Sequence, residues 1–195
     1  MEVYISKGNL RMDIPTFSLP SNITCPNATD LCKKYCYARK AEVSYPNVLP
    51  SRIRNCLESE NDDFARVMIK WILKHKPKYF RIHESGDFYS QGYLDKWCMI
   101  AVFCKDTKFL AYTQMYDYDY TLKPDNLIIY FSIWPDSKDI PKEGLKAYVI
   151  DDGKNKIPYY DTDGFVCKKG KGTDITCDKC LYCFEGKGNV QFKLH

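Results

Sequence analysis

The stretch Asn126-Leu127-Ile128-Ile129-Tyr130-Phe131-Ser132-Ile133-Trp134 decides the fold class. It is almost wholly apolar and rich in β-branched and aromatic residues. That composition predicts a strand covered on both faces, the kind found in parallel sheets flanked by other layers. Upstream, Lys108 to Thr113 reads as a further strand, and downstream so does Lys146 to Ile150. Earlier still, Tyr79 to Glu84 reads as a strand that ends in the turn Ser85-Gly86-Asp87. Thr16 to Leu19 reads as a short one closed by Pro20.

Helical patterns separate these strands. Phe64, Val67, Met68, Trp71 and Ile72 recur at helical spacing within Asn61 to His75. Acidic residues at the start of that segment and lysines at its end suit the helix dipole, and Pro77 stops it. A second helix is expected from about Gln91 to Lys105, with Leu94, Trp97, Cys98, Ala101 and Cys104 inward. A cysteine-bearing helix is expected from about Asp30 to Ala41, and a short one over Ser51 to Glu58 after Pro46 and Pro50. The alternation predicts a parallel α/β sheet. Right-handed crossovers would gather the C-terminal strand ends on one rim, where such folds carry their active sites. Residues 1–150 form this core. Residues 151–195, where the pattern dissolves into Gly, Lys and Asp, form a Cys-rich, loop-rich C-terminal appendage.

The chain of 195 residues is long enough to bury one sizeable core. Its net charge of +4 permits contact with nucleic acid without requiring it, since no basic stripe is present. The cluster Lys168, Lys169 and Lys171 reads as a solvated loop. Met1 to Leu10 is polar, and no apolar run reaches the roughly 18 residues that span a bilayer. A cytoplasmic location with no membrane partner is expected, in a reducing compartment where structural disulfides are rare.

Ten cysteines in such a chain need another explanation. Cys56, Cys98 and Cys104 lie in segments that read as core. Cys167, Cys177, Cys180 and Cys183 give C-x9-C-x2-C-x2-C. Repeated C-x2-C steps wrap one compact inorganic centre and are typical of cubane iron–sulfur ligation. Zinc, the alternative, more often uses two separated C-x2-C knuckles. Cys25, Cys32 and Cys36 give C-x6-C-x3-C, with the last two expected on one helical face. Three ligands leave a coordination position open for a cofactor or substrate. A structural site completed by His195, Cys56 or a C-terminal cysteine is the alternative, and so is one centre shared by both ends.

The segment Phe80-Arg81-Ile82-His83-Glu84-Ser85-Gly86-Asp87-Phe88 carries several polar residues at a strand end. Gly86 would admit close backbone approach, and Glu84 or Asp87 could accept from an amine. Alternatively, Asp87 or Ser90 caps the next helix. Tyr112, Tyr116, Tyr118 and Tyr120 could stack bases or simply build the rim.

Two resemblances rest on these residues. Cys32-Lys33-Lys34-Tyr35-Cys36-Tyr37 resembles the cysteine loop after the first strand of the radical SAM fold. Ser85-Gly86-Asp87-Phe88 resembles that superfamily's glycine–glycine–acid motif, and Ser132 is placed like a ribose-contacting residue. The usual spacing there is C-x3-C-x2-C, and this chain departs from it. The resemblance implies a partial parallel β/α barrel. It also implies an S-adenosylmethionine site at Tyr37, Ser85, Gly86, Asp87 and Ser132. The chain is also similar to the gene product 88 proteins of tailed bacteriophages. The matching pieces are Thr16 to Pro20, the run from Thr24 to Ala38, Arg81 to Phe88, and Cys177-x2-Cys180-x2-Cys183 with the terminal Phe192-Lys193-Leu194-His195. That similarity implies a phage origin, and hence the host cytoplasm.

The expectation is therefore a phage iron–sulfur protein with one or two [4Fe–4S] clusters. S-adenosylmethionine would sit at the N-terminal group, and Glu84 and Asp87 would position cofactor or an unknown substrate. The alternative is a zinc- or iron–sulfur-stapled module, without catalysis, that binds nucleic acid or a phage or host protein.

Overall fold

The computed structural model describes residues 3–8, 12–154, 156–168 and 175–194. Lys169, Lys171 and His195 lie outside them. Eight described strands form one sheet: β1 (Ile5–Ser6), β2 (Thr16–Phe17), β3 (Tyr79–Ile82), β4 (Lys108–Thr113), β5 (Leu127–Ile133), β6 (Leu145–Ile150), β7 (Phe165–Val166) and β8 (Val190–Lys193). Their spatial order is β1-β2-β3-β4-β5-β6-β8-β7. Every neighbouring pair is parallel except β1 with β2. The longest pairing runs from Phe109 opposite Leu127 to Thr113 opposite Phe131. The expected parallel α/β sheet is therefore present.

The helices are α1 (Asp30–Lys34), α2 (Tyr37–Ser44), α3 (Val48–Glu60), α4 (Phe64–His75), α5 (Gln91–Phe103) and α6 (Cys177–Cys180). α4 buries Phe64, Ala65, Met68 and Ile72, the face its spacing predicts. It ends at Lys76, whose left-handed backbone (φ 49) returns an N–H to Ile72 O, and Pro77 cannot continue it. α5 starts where the Ser90 hydroxyl accepts from Tyr93 N–H. Both helices pack on one sheet face around Trp97, whose ring meets those of Phe17 and Phe64 at 5.6 Å each. Cys98 and Cys104 are buried in this core, and Cys56 packs against it.

The opposite face is covered by the two ends of the chain. Leu110, Tyr130, Ala147 and Val190 pack against Met12 and Ile14 from the start and Phe184 from the end. β5 is thus clad on both sides, with Leu127 and Ile129 facing the helices and Ile128 and Tyr130 facing the terminal segments.

Three details depart from the sequence reading. The helix expected over Asp30 to Ala41 breaks at Tyr35 and Cys36. Tyr35 closes α1, its hydroxyl donates to Lys156 O, and Cys36 turns extended (ψ 107) ahead of α2. Cys32 and Cys36 therefore do not share a helical face. α3 begins at Val48, before Pro50, because a proline in the first helical turn forfeits no hydrogen bond. Residues 151–195 do not stay outside the sheet: β8 pairs with β6 from Ala147 opposite Val190 to Ile150 opposite Lys193. Among the described residues no helix is long and apolar enough to cross a membrane.

Candidate functional site

The loop after β2 carries Cys25, and it is sewn to the turn after β3. Leu19 N–H donates to Ser85 O at 2.9 Å, and Asp87 N–H donates to Thr24 O at 3.0 Å. Glu84 N–H donates to the Ser18 hydroxyl. Gly86 makes this possible. Its φ is +87°, and a Cβ there would lie 2.6 Å from Leu19 Cβ and 2.7 Å from Thr24 Oγ1. The close approach expected at Gly86 is thus made by the cysteine loop itself.

α1 is fixed over the rim from three directions. The Thr29 hydroxyl accepts from Cys32 N–H, Asp136 Oδ2 after β5 accepts from Leu31 N–H, and Gln114 Oε1 after β4 accepts from Thr29 N–H. Tyr37 donates its hydroxyl to Glu84 O at 2.5 Å. Cys25, Cys32 and Cys36 are thereby held above the C-terminal ends of β2 to β5, the rim on which parallel sheets place their sites.

The second cysteine group reaches the same place from the other end of the chain. Cys167 follows β7 and donates its N–H to Gln191 O. Cys177 and Cys180 lie on the single turn α6, and Cys183 in the turn after it. Cys167, Cys177 and Cys183 pack against the sheet face that carries Tyr112 and Tyr130. Cys180 is exposed. All ten cysteines are free thiols.

One cavity of about 1040 Å³ joins these parts. All seven cysteines of the two groups line it, as do Tyr37, Glu84, Ser85, Gly86, Asp87 and Ser132. The two cysteine groups and the polar turn of the sequence reading therefore line one space, whereas Tyr116, Tyr118, Tyr120 and Cys56 do not line it. The model described as Gene product 88 matches residues 4–191.

The chain belongs to the Gene product 88 family.

The Gene 88 protein of Mycobacterium phage L5 is 29% identical to it, over 97% of this chain and 92% of that one. The Gene 88 protein of Mycobacterium phage D29 is 30% identical over the same shares. This is a bacteriophage family, as the motif order implies. No solved structure matches the chain.

Electrostatics sharpen the picture of this Gene product 88 site. Burial pushes the Cys25 and Cys32 thiols up to about 12. The charges of Asp87 and of the neighbouring cysteines add to the effect. Burial likewise pushes Cys183 up to about 11, with Cys167 and Cys177 adding to it and the Tyr112 hydroxyl and Arg81 opposing. Cys25, Cys32 and Cys36 lie near enough to repel one another as thiolates, and so do Cys167, Cys177 and Cys183, a repulsion that a bound cation relieves. Among the described residues, no three His, Cys, Asp or Glu side chains converge as the ligands of a single ion do.

Asp87 is buried, and both its oxygens are engaged. Oδ1 accepts from Phe88 N–H at 2.7 Å and Oδ2 from Gln114 N–H at 2.8 Å. It locks the β3 turn to the end of β4, while Ser90 does the helix capping. Burial raises its carboxyl to about 6. The folded state then holds a proton that the unfolded chain releases near the ordinary 3.8, so this group's contribution to stability falls as pH rises from about 4 to 6. Asp87→Asn should remove that pH dependence. It should also cost about 1–3 kcal/mol at acid pH, because an amide nitrogen cannot accept and one buried N–H is orphaned. Urea unfolding at pH 4.5 and pH 7 measures both.

The rim tyrosines are committed to packing. Tyr116 donates to Ser132 O, Tyr120 donates to Met115 O, and both rings stand roughly perpendicular to that of Phe131. Sequence reasoning gave no role to Arg81, Glu42 and Arg52. Arg81 did carry a signal, being a charge between Phe80 and Ile82 in a strand.

Proposed function

We propose that this Gene product 88 protein is an iron–sulfur protein whose metal centres face a single substrate cavity. The observation that carries this reading is that two cysteine groups, from opposite ends of the chain, line one cavity that runs from the sheet face to its rim. Free thiols in mutually repelling sets are the donors such centres use. The sequence spacing C-x9-C-x2-C-x2-C favours a cluster over zinc, which more often uses two separated C-x2-C knuckles.

In this reading the sheet curves as a partial barrel around the cavity. Cys167, Cys177, Cys180 and Cys183 hold a closed [4Fe–4S] centre. Cys25, Cys32 and Cys36 hold a second with one iron open to S-adenosylmethionine, which, when bound, supplies one-electron chemistry. The chain's own residues do the positioning. Tyr37 pins the Glu84 backbone, Gly86 seats the cysteine loop, and Asp87 holds the turn rigid beside Ser85. Glu84 and Ser132 complete the wall that orients what is bound.

Anaerobic purification followed by iron, sulfide and zinc analysis tests the first half. Iron and sulfide in equal amounts, about four of each per cluster, are expected. Stoichiometric zinc without iron or sulfide would reject it. The loaded, reduced protein should then cleave S-adenosylmethionine, and failure to do so would remove the enzymatic half alone.

A further inference from the structure

We infer that the cavity holds its substrate by an anionic oxygen group, a phosphate or a carboxylate, docked on the guanidinium of Arg81. This names the substrate class of the site just described, and rests on reading that cavity as the place where substrate binds.

Arg81 lies mid-strand in β3, and its neighbours Phe80 and Ile82 point to the helical core. Alternation sends Arg81 to the other face, where it lines the cavity. Two contacts fix the guanidinium. Its Cζ lies 4.0 Å from the centroid of the Tyr112 ring, and its Nε donates to His83 O at 3.0 Å. His83 has a left-handed backbone (φ 62), a conformation that non-glycine residues adopt under constraint. That twist belongs to the same turn that presents the carbonyl to Arg81. The two terminal nitrogens have no hydrogen-bond partner among the described residues, and no described carboxylate forms an ion pair with them.

The contrast with Arg52 is instructive. Arg52 lines the same cavity and is satisfied by Glu42 at 2.8 Å and by Ala38 O. Arg81 has a stack and a clamp but no ion-paired carboxylate among the described residues. A planar, pre-oriented fork with its outer edge unpartnered is the geometry that takes two oxygens of a phosphate or carboxylate. Its place fits a substrate too. Arg81 lines the same cavity as both cysteine groups, so an anion bound there shares that space with them. Held neutral by burial and by this guanidinium, with its own value pushed down to about 3, His83 adds no competing charge.

Calorimetric titration of the full-length protein with inorganic phosphate and, separately, with acetate tests this, with chloride at matched ionic strength as reference. Saturable binding of at least one oxyanion is expected, and which arm responds identifies the chemistry. Arg81→Gln should weaken it at least tenfold. Arg81→Lys, which keeps the charge and loses the fork, should weaken it less and serves if the glutamine variant does not fold. No saturable binding to the wild type, or undiminished binding to the folded variants, overturns the inference. Iron is measured on the same samples. Iron without oxyanion binding rejects this inference alone, and Arg81-dependent binding without iron rejects the cluster reading alone.

Discussion

Glu42→Ala is expected to cost about 3–5 kcal/mol of stability, the usual penalty for stripping one partner from a buried ion pair. Glu42 and Arg52 side chains are only 8% and 9% exposed, and their charged atoms lie 2.8 Å apart. The carboxylate does more than pair. Oε1 accepts Ser21 N–H at 2.8 Å and Oε2 accepts the Ser21 hydroxyl at 2.5 Å, so it anchors the start of the Cys25 loop to α2 and α3. Alanine leaves a guanidinium buried without a counter-charge and orphans a backbone donor. Burial alone would raise the Glu42 carboxyl. The Ser21 hydrogen bonds and Arg52 outweigh it and hold the group below its ordinary 4.5. A depressed carboxyl stabilises the fold above its unfolded value, and that stabilisation disappears as pH falls through the lower folded value. Wild type should therefore lose stability below about pH 4.5 more steeply than Glu42→Ala. Urea unfolding of Glu42→Ala, Arg52→Ala and the double variant checks the pairing. The double variant should lose less than the sum of the singles, and strict additivity would show that the two side chains act separately.

Cys183→Ala and Cys180→Ala should each lose the C-terminal metal centre and the fold of the last strands together. Closed thiolate centres carry roughly 10 kcal/mol or more of folding free energy, because the unfolded chain offers no preformed site. The neighbourhood transmits that loss. Cys183 sits in the cluster that covers the second sheet face, and β8 follows directly and pairs with β6. Cys98→Ala is the comparison. Its thiol is buried in the helical core, so the variant should lose a little stability and no metal. Metal content and thermal unfolding of the three variants separate the cases. A Cys183→Ala protein that is metal-free and melts with the wild type would contradict the proposed centre.

The local rules found most of the architecture because they act over short stretches. Asn126 to Trp134 could only be a doubly covered strand, and β5 lies within it. Phe64, Met68 and Ile72 repeat at helical spacing, and α4 buries them. Where a boundary hinged on a distant partner, the reading slipped. Nothing between Asp30 and Ala41 announces a break, since the bond that anchors Tyr35 comes from Lys156, far along the chain. Val190 to Lys193 is too short and too mixed for a pattern. It becomes a strand because the edge of β6 offers unpaired backbone groups.

By itself, then, the sequence determined the element types, the parallel order of the main strands and the two cysteine groups with the polar turn at Glu84 to Asp87. All of these follow from periodicity and spacing. The tertiary structure alone decided that both groups open onto one cavity, and that Glu42 and Arg52 pin the first of them. It also decided that Gly86 makes room for the cysteine loop and that Arg81 stands among the thiols with its fork unpartnered. These depend on which strand ends meet, and chain crossovers set that through packing free energy summed over the whole core.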